Sequence, residues 1–223
     1  FSFSHWTIID SNNLKKASKE ALYQVIESLT IGLERVSNQK LDSENKERSF
    51  DNPVQIIENL NLDKTISEDD YKEKKTKLQK EIRDVLFEFY KRGISTVLVF
   101  EGVDAAGKDG AIERLVKKVD PRLYTVQAIS APSKEELDHN YLWRFYEKLP
   151  EDGYAGIFSR SWYGRVMVER VEGFAKTNEW DRAYDEILEF EKEITDHGSM
   201  VMKFFVTIDK DTQYQRFMDR ENN

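Results

Sequence analysis

Four short apolar runs, each followed by a stretch of helical periodicity, constrain the fold of this chain more than any other feature of its sequence. The runs are TVLVF at 96–100, YTVQAI at 124–129, AGIF at 155–158 and MVMKFFVTI at 200–208. Strands that are almost continuously apolar are buried on both faces, and a helix between successive strands allows them to run parallel. The pattern therefore predicts an α/β fold, a three-layer αβα domain with a parallel sheet.

Helices are predicted where apolar residues recur at intervals of three and four. One helix precedes the first strand, and its apolar face is predicted to carry Leu78, Ile82, Val85, Leu86 and Phe89. In this part of the chain the predicted helices span 67–92, 109–119, 133–148, 163–174, 178–197 and 211–222.

The N-terminal part of the chain has a helical pattern followed by a polar stretch. Residues 14–33 have apolar side chains at helical spacing, which predicts an amphipathic helix. Residues 37–52 are almost entirely polar and indicate an exposed linker. We therefore predict an N-terminal helical segment at 1–36, a linker at 37–52 and the α/β domain at 53–223.

The composition argues against several classes of function. The chain has 42 acidic and 34 basic side chains, and its net charge of −8 argues against broad nucleic-acid binding, which usually requires an excess of basic residues. Because it has no cysteine, disulfides, thiolate catalysis and a cysteine zinc site are excluded. Apolar runs long enough to cross a membrane are absent, so we expect no membrane partner and a soluble protein of the cytoplasm.

The run EGVDAAGKDG at 101–110 carries the strongest chemical signal. Gly102, Gly107 and Lys108 satisfy the spacing G-x-x-x-x-G-K between a predicted strand and a predicted helix. In such a loop the backbone N–H groups attract a phosphate, and the lysine ammonium offsets its charge. The alternative is an ordinary strand-to-helix turn. The lysine in register favours a phosphate site formed by Gly102, Ala105, Ala106, Gly107, Lys108, Asp109 and Gly110.

One position departs from the usual P-loop pattern. Asp109 stands where a serine or threonine normally supplies a magnesium ligand. We expect Asp104, inside the loop, to compensate as a metal ligand or catalytic group, because hard divalent ions prefer oxygen ligands. The alternative is that Asp104 only caps a turn.

Three motifs in order resemble the type-2 polyphosphate kinase family. They are GVDAAGKDGAIERL at the predicted phosphate loop, APSKEELDHNYLWRFYEKLP at 131–150 and RSWYGRVMVERVEGF at 160–174. With the preceding segment NLDKTISEDDYKEKKTKLQKEIRDV, the resemblance covers about residues 53–223. It implies a P-loop α/β fold and an enzyme that transfers phosphoryl groups between inorganic polyphosphate and a nucleotide, with Mg²⁺.

Both ends of the chain add to this resemblance. Residues 4–34 resemble the end of a domain of the same family, as in its tandem-domain polyphosphate:AMP phosphotransferases. An ordinary N-terminal helical hairpin is the alternative. Arg216 and Arg220, four residues apart on a predicted helix, resemble the entry to the family's mobile lid, which we expect to be truncated at Asn223.

The third motif contributes a metal-ligand position and three arginines. The family has a carboxylate or amide that helps to hold magnesium immediately before Arg-Ser-Trp-Tyr, and here that position is Ser159, a weaker ligand. Arg160, Arg165 and Arg170 match the motif, and guanidinium groups suit phosphate oxygens. Salt bridges with neighbouring glutamates are the alternative.

A second group of basic residues follows the phosphate loop on the next predicted helix. Arg114 and Lys117 share one face of that helix and are predicted to form a rail for a polymeric anion. Solvated charges with no binding role are the alternative.

The predicted reaction is in-line transfer of a phosphoryl group from polyphosphate to an adenine nucleotide, AMP being favoured over ADP. Asp104, Lys108 and Arg160 are the predicted catalytic residues. Two rivals remain open, an ATP-dependent nucleoside monophosphate kinase and a degenerate copy that supports a neighbouring active domain. A homo-oligomer is also left open.

Overall fold

The computed structural model describes residues 60–62 and 65–222. The predicted segment at 1–36, its helix at 14–33 and the predicted linker at 37–52 lie outside the described residues.

The described residues form seven α-helices and four strands in the predicted alternation. In chain order they are α1 (Glu68–Arg92), β1 (Thr96–Gly102), α2 (Lys108–Val116), β2 (Tyr124–Ala128), α3 (Lys134–Leu137), α4 (Trp143–Tyr146), β3 (Ala155–Ser159), α5 (Val168–Val171), α6 (Thr177–Asp196), β4 (Met200–Val206) and α7 (Lys210–Glu221). Short 3₁₀ helices span Pro121–Leu123 and Trp162–Arg165.

The four strands form one parallel sheet in the order β2-β3-β1-β4. The register places Phe100 opposite Ser159 on one side of β1 and Gly102 opposite Val206 on the other. All four carboxyl ends therefore meet at one edge of the sheet, where ligands bind in open α/β folds.

Helices cover both faces of the sheet, which confirms the predicted three-layer arrangement. On one face, Val97 and Val99 of β1 and Phe158 of β3 pack against residues of α4 and α6. On the other face, Leu98 and Phe100 pack with Ile112 of α2. Alternate residues of β1 thus point to opposite layers, as the pleat of a strand requires.

Helix α1 begins and ends where the sequence predicts, but two residues of its predicted apolar face are exposed. Ser67 caps its first turn, and Gly93, with φ +66°, ends it. Leu86 is buried as predicted, whereas Leu78 and Val85 are about half exposed. Gln79 is buried instead, because its amide donates to the carbonyl of Arg114 near the end of α2 at 2.7 Å. A polar residue therefore occupies the inner stripe.

Two of the predicted helices are broken into shorter elements. The predicted helix at 133–148 consists of α3 and α4, because the side chain of Asn140 accepts from the amide of Leu142 and forms a turn between them. The predicted helix at 163–174 is a 3₁₀ helix followed by α5, with Met167 in a non-helical conformation between them.

The two longest helices in the described part of the chain, α1 and α6, are rich in charged residues. No helix of the described residues has both the length and the apolar character required to cross a membrane.

Candidate active site

A cavity of about 350 Å³ lies at the carboxyl ends of β1, β2 and β3, and we call it the phosphate-loop cavity. Its lining residues come from the predicted loop, the ends of β2 and β3, and α7: Asp104, Ala105, Gly107, Lys108, Asp109, Gly110, Ala128, Ile129, Ser159, Arg160 and Arg220. The fold therefore brings together four sequence regions, around residues 104–110, 128–129, 159–160 and 220.

The loop adopts a backbone that most residues avoid. Gly107 ends it with φ +95°, and Ala105 has φ +64° although it is not a glycine. Arg160, across the cavity, has φ +66°. A left-handed conformation costs a residue with a side chain about 1 to 3 kcal/mol, so the surrounding contacts must impose it. Two such residues line the same cavity.

Gly102 is required for a packing reason that the sequence does not reveal. A Cβ at this position would lie 1.9 Å from the carbonyl oxygen of Val206, and the φ of Gly102 is +141°. The close approach that demands glycine here is therefore with the neighbouring strand β4.

The N-terminus of α2 faces the cavity with unpaired donors. Ala111 N–H bonds to the carbonyl of Gly107, whereas the preceding amides of Lys108, Asp109 and Gly110 have no backbone acceptor within the described residues. The ammonium of Lys108 is buried and donates to the carbonyls of Gly102 and Val103, at 2.7 and 3.0 Å. These contacts hold the positive charge beside the loop.

Two carboxylates of the cavity have different partners. The hydroxyl of Ser159 donates to Oδ1 of Asp109 at 2.7 Å. Nη2 of Arg160 lies 3.1 Å from Oδ1 of Asp104, and both of these side chains are more than half exposed. Ser159 and Asp109 each depart from an expected sequence pattern, and the structure joins them as one hydrogen-bonded pair.

This donor set fits a divalent cation with few protein ligands. The described residues contain no cluster of three or more His, Cys, Asp or Glu that could enclose a metal. Magnesium usually needs only one or two carboxylates, because phosphates and water supply its remaining ligands. Asp109 with Ser159, or Asp104, would provide such a partial shell.

A second cavity of about 550 Å³ adjoins the first, and we call it the side cavity. Its wall is formed by 129–132, by residues between Glu136 and Phe145, by Arg160–Trp162 and by residues from Gly164 to Phe174. Arg160 and Ile129 line both cavities. Two ligands, one bound in each cavity, would therefore both contact Arg160.

Arginines supply positive charge to the side cavity. Arg165 lies over the ring of Tyr141 at 4.4 Å and forms an ion pair with Glu169 at 3.0 Å. Its buried Nε has no hydrogen-bond partner in the described part of the chain. Arg144 is buried, lies 3.3 Å from Glu136 and donates to the carbonyl of Ser130.

Glu136 also accepts from Lys148 and from the backbone N–H of Ser133. The Ser133 bond is the main cause that lowers the pKa of Glu136. The ionised carboxylate of Glu136 thus balances the charges of Arg144 and Lys148 beside the side cavity. Glu136, Tyr141 and Arg144 all lie in the motif at 131–150, but sequence analysis did not identify them as residues of a cavity.

The other predicted site residues are divided between the cavity and more distant positions. Arg216 donates to the carbonyl of Ala105 at 2.8 Å, and Arg220 lines the phosphate-loop cavity. Arg114 lies outside the cavity lining and donates to the carbonyl of Gly110. Ala106 is buried behind the loop.

Two predicted phosphate-binding residues lie apart from both cavities. Lys117 borders a separate cleft with Arg83 and Phe87. Arg170 contacts Tyr184 and the ring of Trp180 instead of either cavity.

Glu101 is a further residue that sequence analysis missed. It ends β1 beside Gly102 and accepts from the hydroxyl of Ser161 at 2.7 Å. Burial raises the pKa of Glu101, and the hydrogen bonds from Ser161 and the charges of Lys108 and Arg160 oppose that shift. Its position immediately before Gly102, the first residue of the G-x-x-x-x-G-K motif, is the sequence signal that could have identified it.

The sequence profile of the family described as Polyphosphate kinase 2 matches residues 65–223. This chain belongs to the polyphosphate kinase 2 family. Two polyphosphate:AMP phosphotransferases are similar to it. That of Pseudomonas syringae pv. tomato is 37% identical over 98% of this chain and 44% of its own length, and that of Acinetobacter johnsonii is 51% identical over 68% and 31%. The chain thus spans less than half the length of these relatives.

Solved structures of the polyphosphate kinase 2 family share the fold. A structure from Pseudomonas aeruginosa PA01, described as a polyphosphate kinase 2, has a TM-score of 0.73 and 44% identity over 75% of this chain and 36% of its own. The polyphosphate kinase 2 of Arthrobacter aurescens TC1 has a TM-score of 0.71 and 28% identity, over 75% and 62%.

Proposed function

We propose that this domain transfers a phosphoryl group from inorganic polyphosphate to an adenine nucleotide, with AMP as the preferred acceptor. The observation that carries the proposal is the pair of adjoining cavities that share Arg160, one of them built on the phosphate loop. Phosphoryl transfer requires donor and acceptor in line with charge neutralised between them, and it needs no nucleophilic side chain.

The charged residues of the phosphate-loop cavity each have a role in this proposal. The α2 amides and Lys108 bind the phosphate oxygens, and Arg160 neutralises charge that develops between the two substrates. Asp109 with Ser159, together with Asp104, would hold a divalent cation, for which we propose Mg²⁺. That cation would offset phosphate charge. Arg216 and Arg220 approach the loop from α7 and are proposed to close over it.

The side cavity is proposed to receive the nucleotide. Its volume suits a mononucleotide, and its mixture of aromatic and arginine side chains suits a base and a phosphate. The choice of AMP is supported by the relatives from P. syringae and A. johnsonii, which are polyphosphate:AMP phosphotransferases. Other relatives carry names with ADP as substrate, including one of Rhizobium meliloti, so the assay must include both nucleotides.

We also propose that the domain organisation follows the sequence, with a segment at 1–36, a linker at 37–52 and the kinase domain from residue 53. The alignment of the P. syringae relative over 98% of the chain supports a shared organisation. A cytoplasmic site of action is proposed from the nucleotide substrate and the absence of cysteine.

The test is a transfer assay on the full-length protein with polyphosphate, Mg²⁺ and either AMP or ADP. Lys108→Ala should lower turnover by about ten-fold or more, because it removes the ammonium at the loop. The control Lys192→Ala, an exposed lysine paired with Asp196 on α6, should keep wild-type turnover. Transfer from ATP but not from polyphosphate would instead identify a nucleoside monophosphate kinase. No transfer from either donor would indicate a supporting copy and overturn the proposal.

A further inference from the structure

The segment 160–165, which we call the arginine segment, forms one wall of the side cavity and reaches the phosphate-loop cavity at Arg160. It carries Arg160 at one end and Arg165 at the other, and most of its residues line the side cavity. Its second half is a 3₁₀ helix, Trp162–Arg165, and the N–H groups of Val166 and Met167 donate to the carbonyl of Tyr163. These bonds are local to the turn, whereas Arg160 N–H donates to the carbonyl of Phe100 on β1. Side-chain contacts therefore hold the second half of the segment against the core.

The buried carboxylate of Glu191 on α6 holds the arginine segment from behind. Its Oε1 accepts from Nε1 of Trp162 at 3.1 Å and from the hydroxyl of Tyr163 at 2.8 Å. Its Oε2 accepts from the ammonium of Lys203 on β4 at 2.6 Å, and that ammonium also donates to the Tyr163 hydroxyl at 2.9 Å. Two of the three groups bound to Glu191 thus belong to the segment.

A buried carboxylate is costly unless its hydrogen-bonding capacity is satisfied. The three donors around Glu191 meet that requirement, and they also tie α6 and β4 to the arginine segment. Trp162, fully buried, is further packed against Phe145, Phe158 and Phe190 at ring distances of 4.8 to 5.8 Å. The network therefore gives the segment one rigid attachment to the core.

The two ends of the segment depend on this attachment to different degrees. The Arg160 end has its own supports, since its amide binds β1 and the hydroxyl of the adjacent Ser161 binds Glu101. The Arg165 end lies on the far side of Trp162 and Tyr163, with an ion pair to Glu169. Loss of Glu191 should thus displace Arg165 more than Arg160.

We propose that Glu191 is a positioning residue that, through Trp162 and Tyr163, fixes Arg165 in the side cavity for the nucleotide substrate. This inference rests on the proposed function. Glu191 touches neither cavity, and it acts by orienting the wall. Misplacing a substrate-binding group by about 1 Å costs on the order of a hundred-fold in rate, so a smaller displacement should still be measurable.

The experiment compares KM for AMP and for polyphosphate in the full-length protein. Glu191→Met leaves the Trp162 and Tyr163 donors without an acceptor, and should raise KM for AMP about ten-fold while KM for polyphosphate changes less than two-fold. Glu191→Gln retains an acceptor oxygen and should bring KM for AMP back to within about three-fold of wild type. A merely structural role would lower the active fraction and leave both KM values unchanged.

A second variant and a matched control complete the test. Tyr163→Phe removes only the hydroxyl bound to Glu191 and should raise KM for AMP about three-fold even if Glu191→Met does not fold. Glu193→Met removes a different phenol–carboxylate bond of the same helix, to Tyr146, and should leave both KM values unchanged. Unaltered KM for AMP in Tyr163→Phe and Glu191→Met, with transfer by the wild type intact, would overturn this inference alone. No transfer by the wild type would overturn the proposed function with it.

Discussion

Replacing Ser159 by aspartate should make the stability of the domain depend on a divalent cation. The hydroxyl of Ser159 is buried and donates to Asp109 at 2.7 Å. Ser159→Asp replaces that donor with a second carboxylate facing the first. Ser159→Asn is the matched control, because it has the same size and can still donate a hydrogen bond but carries no charge.

The magnitude follows from Coulomb's law. Two like charges about 4 Å apart at an effective dielectric constant of about 20 repel by about 4 kcal/mol. Protonation of one carboxylate relieves part of this repulsion, so we expect Ser159→Asp to be about 2 to 4 kcal/mol less stable than Ser159→Asn at neutral pH without metal. For a domain of this size the difference corresponds to a Tm lower by roughly 5 to 15 °C.

The assay is thermal denaturation of the two variants in chelator and in millimolar Mg²⁺. Magnesium should remove most of the difference, because two facing carboxylates bind it more tightly than one. In chelator the aspartate variant should also recover stability as the pH falls, since the pair then shares a proton. Equal Tm values for the two variants in chelator would refute the facing geometry. A Tm difference that Mg²⁺ leaves unchanged would refute the proposed metal site.

Two further predictions concern the entry to the loop. Gly102→Ala should unfold the domain or destabilise it by about 3 kcal/mol or more in urea denaturation, because its Cβ would overlap the Val206 carbonyl. Gly164→Ala, with no atom within 4 Å of its Cβ, should stay within about 1 kcal/mol of wild type, and equal losses would contradict the packing argument. Burial raises the pKa of Glu101, so the folded state keeps this proton to a higher pH than the unfolded state does. The free energy of unfolding should therefore fall as the pH rises from the ordinary carboxyl pKa through the raised pKa of the folded state. Glu101→Gln should make the free energy of unfolding less dependent on pH in this range. An unchanged pH dependence would show that another group causes it.

The strands could be predicted because burial on both faces leaves a local signature. TVLVF and AGIF contain one polar residue between them, Thr96, and they form most of the two central strands β1 and β3. The long helices were predicted equally well, since periodicity accumulates over many residues. The helix predicted at 133–148 was wrong because the first helix ends at Leu137 and the Asn140 side chain caps the start of a new turn, and periodicity averages over such local capping.

The structure brings predicted site residues together where they are close in the sequence. The spacing of Gly102, Gly107 and Lys108 is encoded within seven residues, and the structure builds a cavity on that loop. The assumed rail of Arg114 and Lys117 lies outside the cavity lining, because helical spacing fixes a shared face but not what that face opposes.

The sequence by itself determined how strands and helices alternate along the chain, where the phosphate loop lies and to which family the chain belongs. Each of these depends on residues close together in the chain. Only the tertiary structure decided that Asp109 meets Ser159, that Arg160 borders two cavities, and that Glu191 binds Trp162 and Tyr163. Those contacts join residues about thirty or more positions apart. Their partners are selected by strand register and by how helices pack on the sheet, which no local pattern specifies.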